Sequence, residues 1–142
     1  MVSIYSLYGF LLGKIAHKIE EVSQLLLDEY GLSLKQFGTL AVIYEYPEAS
    51  QKEIGDIQKI DRTSIGQIID YLQGKGYIVK SQCETNRKAN IIKLTENGKR
   101  CLTSLWTDIK DLENNVLSCL SDLEKHELLC VLKKVVGGLE NE

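Results

Sequence analysis

The apolar positions of the chain fall into helical registers for most of its length. Between residues 4 and 30, Ile4, Leu7, Leu11, Ile15, Ile19, Val22 and Leu26 recur every three or four residues. That spacing lines up one face of a helix, with Lys14, Lys18, Glu20 and Glu21 elsewhere on the cylinder. One long helix is predicted, stopped by Gly31. Ser33-Leu-Lys-Gln36 then has the form of a capping box. Phe37, Leu40, Ala41 and Tyr44 carry a second helix as far as Pro47, whose ring ends it. A second box, Ser50-Gln-Lys-Glu53, opens a short helix expected to bury Ile54 and Ile57. After Gln58-Lys59-Ile60, Asp61 is placed to cap a fourth helix whose stripe is Ile65, Ile68, Ile69 and Leu72.

Gly74-Lys75-Gly76 ends this helix. Tyr77-Ile-Val-Lys80 and Asn90-Ile-Ile-Lys-Leu94 read as two strands, rich in β-branched residues, joined through the polar tip Glu84-Thr-Asn-Arg-Lys-Ala89. Thr95-Glu-Asn-Gly98 starts another helix, striped by Leu102, Leu105, Ile109, Leu112 and Val116. A third capping box, Ser121-Asp-Leu-Glu124, opens a last helix presenting Leu128, Val131, Leu132 and Val135.

These elements predict a mainly α fold with a small β-hairpin wing. Two short helices across a three-residue turn form a helix-turn-helix, and the hairpin that follows makes it a winged helix. The chain reads as a single domain over residues 1–142, with a winged-helix module at 33–95 between long helices at 4–30 and 96–138. The flanking stripes exceed what the module can cover, so burial against a second copy, as a homodimer, is expected.

Composition adds less than pattern. The 142 residues are 44% hydrophobic and 26% charged, ordinary for one soluble globular domain. No apolar run approaches the roughly 20 residues needed to span a bilayer, and the N-terminus has no basic leader or small-residue cleavage site. A cytoplasmic protein without a membrane partner is expected. The net charge of −3 hides an asymmetry: residues 51–100 carry +4 and the flanks −7. A basic centre between acidic flanks points to one surface for a polyanion.

That surface has named candidates. Arg62, Thr63, Ser64 and Gln67 occupy the first two turns of the fourth helix, and Gln51 opens the third. Such side chains reach phosphates and base edges from the amino end of a recognition helix. Gly66 keeps that face low, and Arg87 and Lys88 at the wing tip are placed for a minor groove or phosphates. Double-stranded DNA is the expected partner. A winged helix serving only as a protein-interaction scaffold is the competing reading, though such a surface tends to expose aromatic anchors.

An enzyme is not expected: His17 and His126 lie far apart, and no phosphate loop or nucleophile–base pair is present. No cofactor is expected. Cys83, Cys101, Cys119 and Cys130 contain no C-x-x-C pair, which argues for reduced thiols and against a metal site. Cys83, near Lys80 and Arg87, is expected to be the most reactive of them.

Taken together, LSLKQFGTL (32–40), SQKEIGDIQKIDRTSIGQIIDYLQGKGYI (50–78) and NRKANIIKLTENGK (86–99) resemble the MarR family of winged-helix transcriptional regulators. The last segment holds a wing arginine and the Leu-Thr-x-x-Gly junction of Leu94, Thr95 and Gly98. The resemblance implies a homodimer on pseudo-palindromic operator DNA, usually a repressor, released by a small molecule or by oxidation of a cysteine. It further implies a crevice between the dimer helices and the winged helix for a small aromatic effector such as a phenolic anion. His17, Tyr30 and Tyr44 are candidates for its lining, and equally for plain packing. Two positions depart from the family pattern. Asn86 stands where an acid often precedes the wing arginine, and the turn has Lys59 where glycine is usual.

Overall fold

The computed structural model describes residues 1–82 and 90–141. A 3-10 turn at Ile4–Ser6 precedes α1 (Tyr8–Asp28), α2 (Leu34–Glu45), α3 (Gln51–Gln58) and α4 (Arg62–Gly74). Strands β1 (Ile78–Gln82) and β2 (Asn90–Leu94) follow, then α5 (Glu96–Val116) and α6 (Asp122–Glu140). The chain divides into two compact units, residues 20–109 and residues 1–19 with 110–142.

The larger unit is the winged helix. Its strands pair antiparallel, Ile78 opposite Leu94 and Lys80 opposite Ile92, and Ser50 bridges to Ile91 on the outer side of β2. Leu27, Leu40, Ile43, Ile54, Ile65, Ile69, Leu72, Ile78, Ile92 and Leu105 are fully buried in one cluster. Each such side chain contributes about 1.5–3 kcal/mol of burial. Ser33 and Ser50 form capping boxes with Gln36 and Glu53, so α2 and α3 begin where their polar signals stand.

The junction into α5 depends on one glycine. Thr95 Oγ1 donates to the Gly76 carbonyl at 2.6 Å and accepts from the Gly98 N–H at 3.0 Å. The Thr95 N–H meets the Tyr77 carbonyl at 3.0 Å. A Cβ on Gly98 would overlap that same Tyr77 oxygen. Only glycine lets α5 start this close to the foot of the hairpin.

Four features differ from the reading of the pattern. The first helix is interrupted: Leu7 is extended (φ −94°, ψ 124°) between the 3-10 turn and α1. The core takes hold of α1 at Ser23 and Leu27, beside the stripe, leaving Val22 and Leu26 half-buried and Leu11 and Ile15 exposed. Ile57 is 40% exposed, because α3 meets α4 through Gly55. A Cβ there would lie 3.1 Å from the Ile60 carbonyl oxygen and 3.2 Å from Ile65 Cγ2, so the helices cross with no room for a side chain. Ile43, in a position the pattern did not single out, is buried in α2, while Tyr44 beside it is exposed.

In the smaller unit, a capping box at Ser121 and Glu124 starts α6. None of the described residues of α6 is buried, and Leu123, Val131, Leu132, Val135, Val136 and Leu139 are exposed. Leu128 alone of the expected stripe is half-buried, and an apolar helix left this exposed within one chain lacks the packing that normally holds helices folded.

Two substitutions test this backbone. Lys59 is left-handed (φ 57°, ψ 42°), the one non-glycine with positive φ among the described residues. Lys59→Gly should raise unfolding stability by roughly 0.5–1 kcal/mol, removing left-handed strain at some cost in chain entropy. Gly98→Ala should lower it by about 3 kcal/mol, as overpacking against backbone does. Urea unfolding reads both. A Gly98→Ala chain as stable as its parent would contradict the close approach.

Candidate nucleic-acid interface

The amino end of α4 is built by its cap. Asp61 is extended and its side chain accepts the Ser64 N–H at 2.8 Å, while Ser64 Oγ donates to the other carboxylate oxygen at 2.9 Å. The Ser64 backbone bond, then the Ser64 hydroxyl, hold the Asp61 carboxyl below its ordinary range. Ser64 is half-buried and committed to this cap, whereas Arg62, Thr63 and Gln67 are exposed. Gln51 comes alongside: its side-chain nitrogen lies 3.5 Å from where a Cβ on Gly66 would stand. The first turns of α4 and the start of α3 therefore present Gln51, Arg62, Thr63 and Gln67 together. The free N–H groups of α4 add partial positive charge there.

The orientation of α4 is set from both ends. Toward its amino end, the crossing at Gly55 fixes its distance from α3. Behind α3, Thr39 Oγ1 donates to Gln58 at 2.8 Å, tying α3 to α2. At the carboxyl end, the Tyr71 hydroxyl donates to the Gly31 carbonyl and Lys75 Nζ donates to the Tyr30 carbonyl at 3.0 Å. The same ammonium lies 5.9 Å from the centre of the Tyr71 ring and 5.8 Å from that of Tyr77, within cation–π range. Gly31 has φ +66°, and a Cβ on it would come 2.9 Å from Lys75 Nζ. Lys80 pairs with Asp70 at 3.1 Å, joining β1 to α4.

Sequence spacing does not foretell this clamp. Tyr71 and Lys75 are four apart on one helix, a visible signal of a pair. That they seize the turn 40 residues earlier is a tertiary fact. Tyr30 belongs to the clamp through its carbonyl, and its hydroxyl is 3.5 Å from Ser104 Oγ. Tyr44 instead lines a groove of about 540 Å³ between α2 and α5, with Glu45, Thr103, Trp106 and Thr107. His17 belongs to the smaller unit, along α1 with Phe10 and Lys14. Arg87 and Lys88, like Cys83, Glu84 and Asn86, lie outside the described residues.

Residues 30–89 match the family model described as "MarR family". The chain matches that family through α2, α3, α4 and β1. It is 28% identical over 131 residues to the uncharacterized HTH-type transcriptional regulator YybA of Bacillus subtilis, covering 92% of this chain and 87% of that protein. Two solved structures share the MarR fold with it. A mutant MarR from E. coli complexed with operator DNA has a TM-score of 0.78 at 21% identity, covering 89% of this chain and 91% of that one. Bordetella bronchiseptica BpsR, whose DNA binding is regulated by 6-hydroxynicotinic acid, has a TM-score of 0.83 at 16% identity, covering 96% and 97%.

Against the MarR pattern, the lysine in place of the turn glycine is accommodated without a change of backbone: Lys59 takes the left-handed conformation that glycine would adopt freely. Of the described thiols, Cys101 is buried and its pKa is raised by that burial, with the Tyr77 hydroxyl as a hydrogen-bond partner. Cys119 and Cys130 are exposed. Among the described residues, no three His, Cys, Asp or Glu side chains group as metal ligands, and no helix is long and apolar enough to cross a membrane.

The cap has a testable pH signature. Because the Asp61 pKa is lowered on folding, the cap's stabilisation is complete above the ordinary value of 3.8 and is lost as pH falls through the lowered folded value. The Tm difference between the parent and Asp61→Ala should therefore be constant near neutrality and narrow only in acid below that value. A difference that shrinks on going from neutral to alkaline pH would contradict the assignment.

Proposed function

We propose that this chain is a dimeric, sequence-specific DNA-binding transcriptional regulator, a repressor whose hold on its operator is released by a small molecule. The observation that carries the reading is the exposed group of Arg62, Thr63 and Gln67, with the half-buried Gln51 of α3 beside them, at the amino end of a helix whose position is fixed at both ends. Such an end enters a major groove with its side chains toward base edges. Thr63, Gln67 and Gln51 read bases, Arg62 serves a phosphate or a guanine, and the Ser64 hydroxyl supports the cap. Arg87 and Lys88 hold phosphates from the wing. A protein-docking scaffold is less well supported, since the one aromatic of α4, Tyr71, bonds to Gly31 behind the reading face.

A second copy supplies the partner for the exposed apolar residues of α1 and α6, including Leu11, Ile15, Leu132 and Val135. An obligate interface of this kind buries more than roughly 2,000 Å². Two recognition helices related by a two-fold axis then read half-sites about one helical turn apart, which explains a pseudo-palindromic operator. The protein acts in the cytoplasm beside the DNA it binds. Tyr44 and the groove it lines are the proposed effector site, BpsR being a structural neighbour whose DNA binding a small molecule regulates.

The two kinds of DNA contact separate by salt. An operator recovered from the DNA upstream of the chain's own gene is titrated against a scrambled duplex at several salt concentrations. Gln67→Ala should cost roughly 1–3 kcal/mol per half-site on the operator only, with the salt slope unchanged. Arg87→Ala should weaken both duplexes and flatten the slope of log affinity against log salt by about one unit for each phosphate no longer neutralised. Equal weakening of both duplexes by Gln67→Ala would mean that α4 does not read bases.

A further inference from the structure

The groove between α2 and α5 has a charge character of its own. Tyr44 and Trp106 give it two aromatic faces, and both remain exposed, at 65% and 50%. Trp106 is steadied from behind by Phe37, ring centres 6.3 Å apart, so one wall of the groove is in place before anything binds. The Glu45 carboxylate and the hydroxyls of Thr103 and Thr107 complete the polar part of the lining, which contains no lysine, arginine or histidine.

Position on the helix adds to this. Tyr44 and Glu45 are the last two residues of α2, whose final turn carries no basic side chain. The terminal carbonyls of a helix carry partial negative charge that favours a cation. A carboxylate, a helix carboxyl end and two π faces thus attract the same sign of charge at one place. An aromatic carboxylate or phenolate entering the groove would meet Glu45 with no cation in the lining to offset the repulsion.

We infer that the groove takes an aromatic organic cation, a substituted ammonium or amidinium carrying an apolar ring, and that this is the effector class of the regulator. The ring lies in the space between the tryptophan and tyrosine, and the cationic group turns toward Glu45, where cation–π attraction and the carboxylate act together. This reverses the charge expected from the family resemblance. It rests on the reading of the chain as a repressor released by a small molecule.

Trp106 is the one tryptophan of the chain, so its emission reports the groove directly. The full-length protein is titrated, without DNA, with benzyltrimethylammonium, benzyl alcohol and benzoate in turn. The ammonium should change the emission saturably, with at least tenfold higher affinity than benzoate. Glu45→Gln should weaken the ammonium about five- to tenfold and leave benzyl alcohol unchanged. Benzoate binding as tightly as the ammonium, indifference of the ammonium to Glu45→Gln, or the absence of a saturable change would overturn the inference. A parallel operator titration with and without the ammonium tests the reading beneath it. If Trp106 responds as stated while the operator is never bound, the repressor reading fails and the cation site stands. If the operator is bound while Trp106 stays silent, the cation site fails and the reading stands.

Discussion

The ammonium of Lys75, held between the rings of Tyr71 and Tyr77 and bonded to the Tyr30 carbonyl, fastens the recognition helix to the turn between α1 and α2. Tyr71 reinforces it from the same helix through Gly31. A helix of 13 residues has little stability of its own in water, and the side chains proposed to read bases need it held in register with a groove. The clamp at one end and the side-chain-free crossing at Gly55 at the other supply that register. Gly31 is favoured because its φ of +66° is left-handed, and Gly98 is required because α5 begins against the Tyr77 backbone. The winged helix is thus organised around Gly55 and Gly98, where the lack of a side chain lets two elements approach closely.

Much of the architecture is legible in the sequence because its signals are local. The capping boxes at Ser33, Ser50 and Ser121 start helices where their hydroxyls stand, and Asp61 does so without a reciprocal partner. The β-branched and aromatic run after Gly74-Lys75-Gly76 marks the hairpin. Pattern and structure part where tertiary contact overrides periodicity. Ile57 fits the helical stripe yet stays exposed, since the α3–α4 contact is made at Gly55. Val22 and Leu26 belong to the stripe of α1, yet Leu27 and Ser23 face the core. Ser23 sits there with its hydroxyl unpaired among the described residues, a cost no sequence pattern foretells.

The candidate site is legible in part for the same reason. Arg62, Thr63 and Gln67 follow from position on a capped helix, and they are exposed as that position requires. Ser64 looks equivalent in sequence but is drawn into the cap by Asp61. The residues that aim the helix escape a sequence reading, because Tyr30 and Lys75 are 45 positions apart and no spacing rule connects them. His17, Tyr30 and Tyr44 are grouped only by resemblance. Tyr30 proves to belong to the clamp, and Tyr44 to a groove whose acidic lining bears on what it can hold.

The apolar faces of α1 and α6 give the remaining constraint. Leu132, Val135 and Leu139 stay partly exposed within the chain, and a two-fold partner would bury them while setting two reading heads at a fixed spacing. Base reading and two-fold assembly can be tested together by selecting bound duplexes from a random-sequence pool with the full-length protein. A dimer that reads bases from α4 should enrich an inverted repeat with half-site centres about 10 base pairs, or a multiple of one helical turn, apart. Enrichment of a single unpaired half-site would contradict the two-fold assembly, and a pool left without any common sequence would contradict base reading itself.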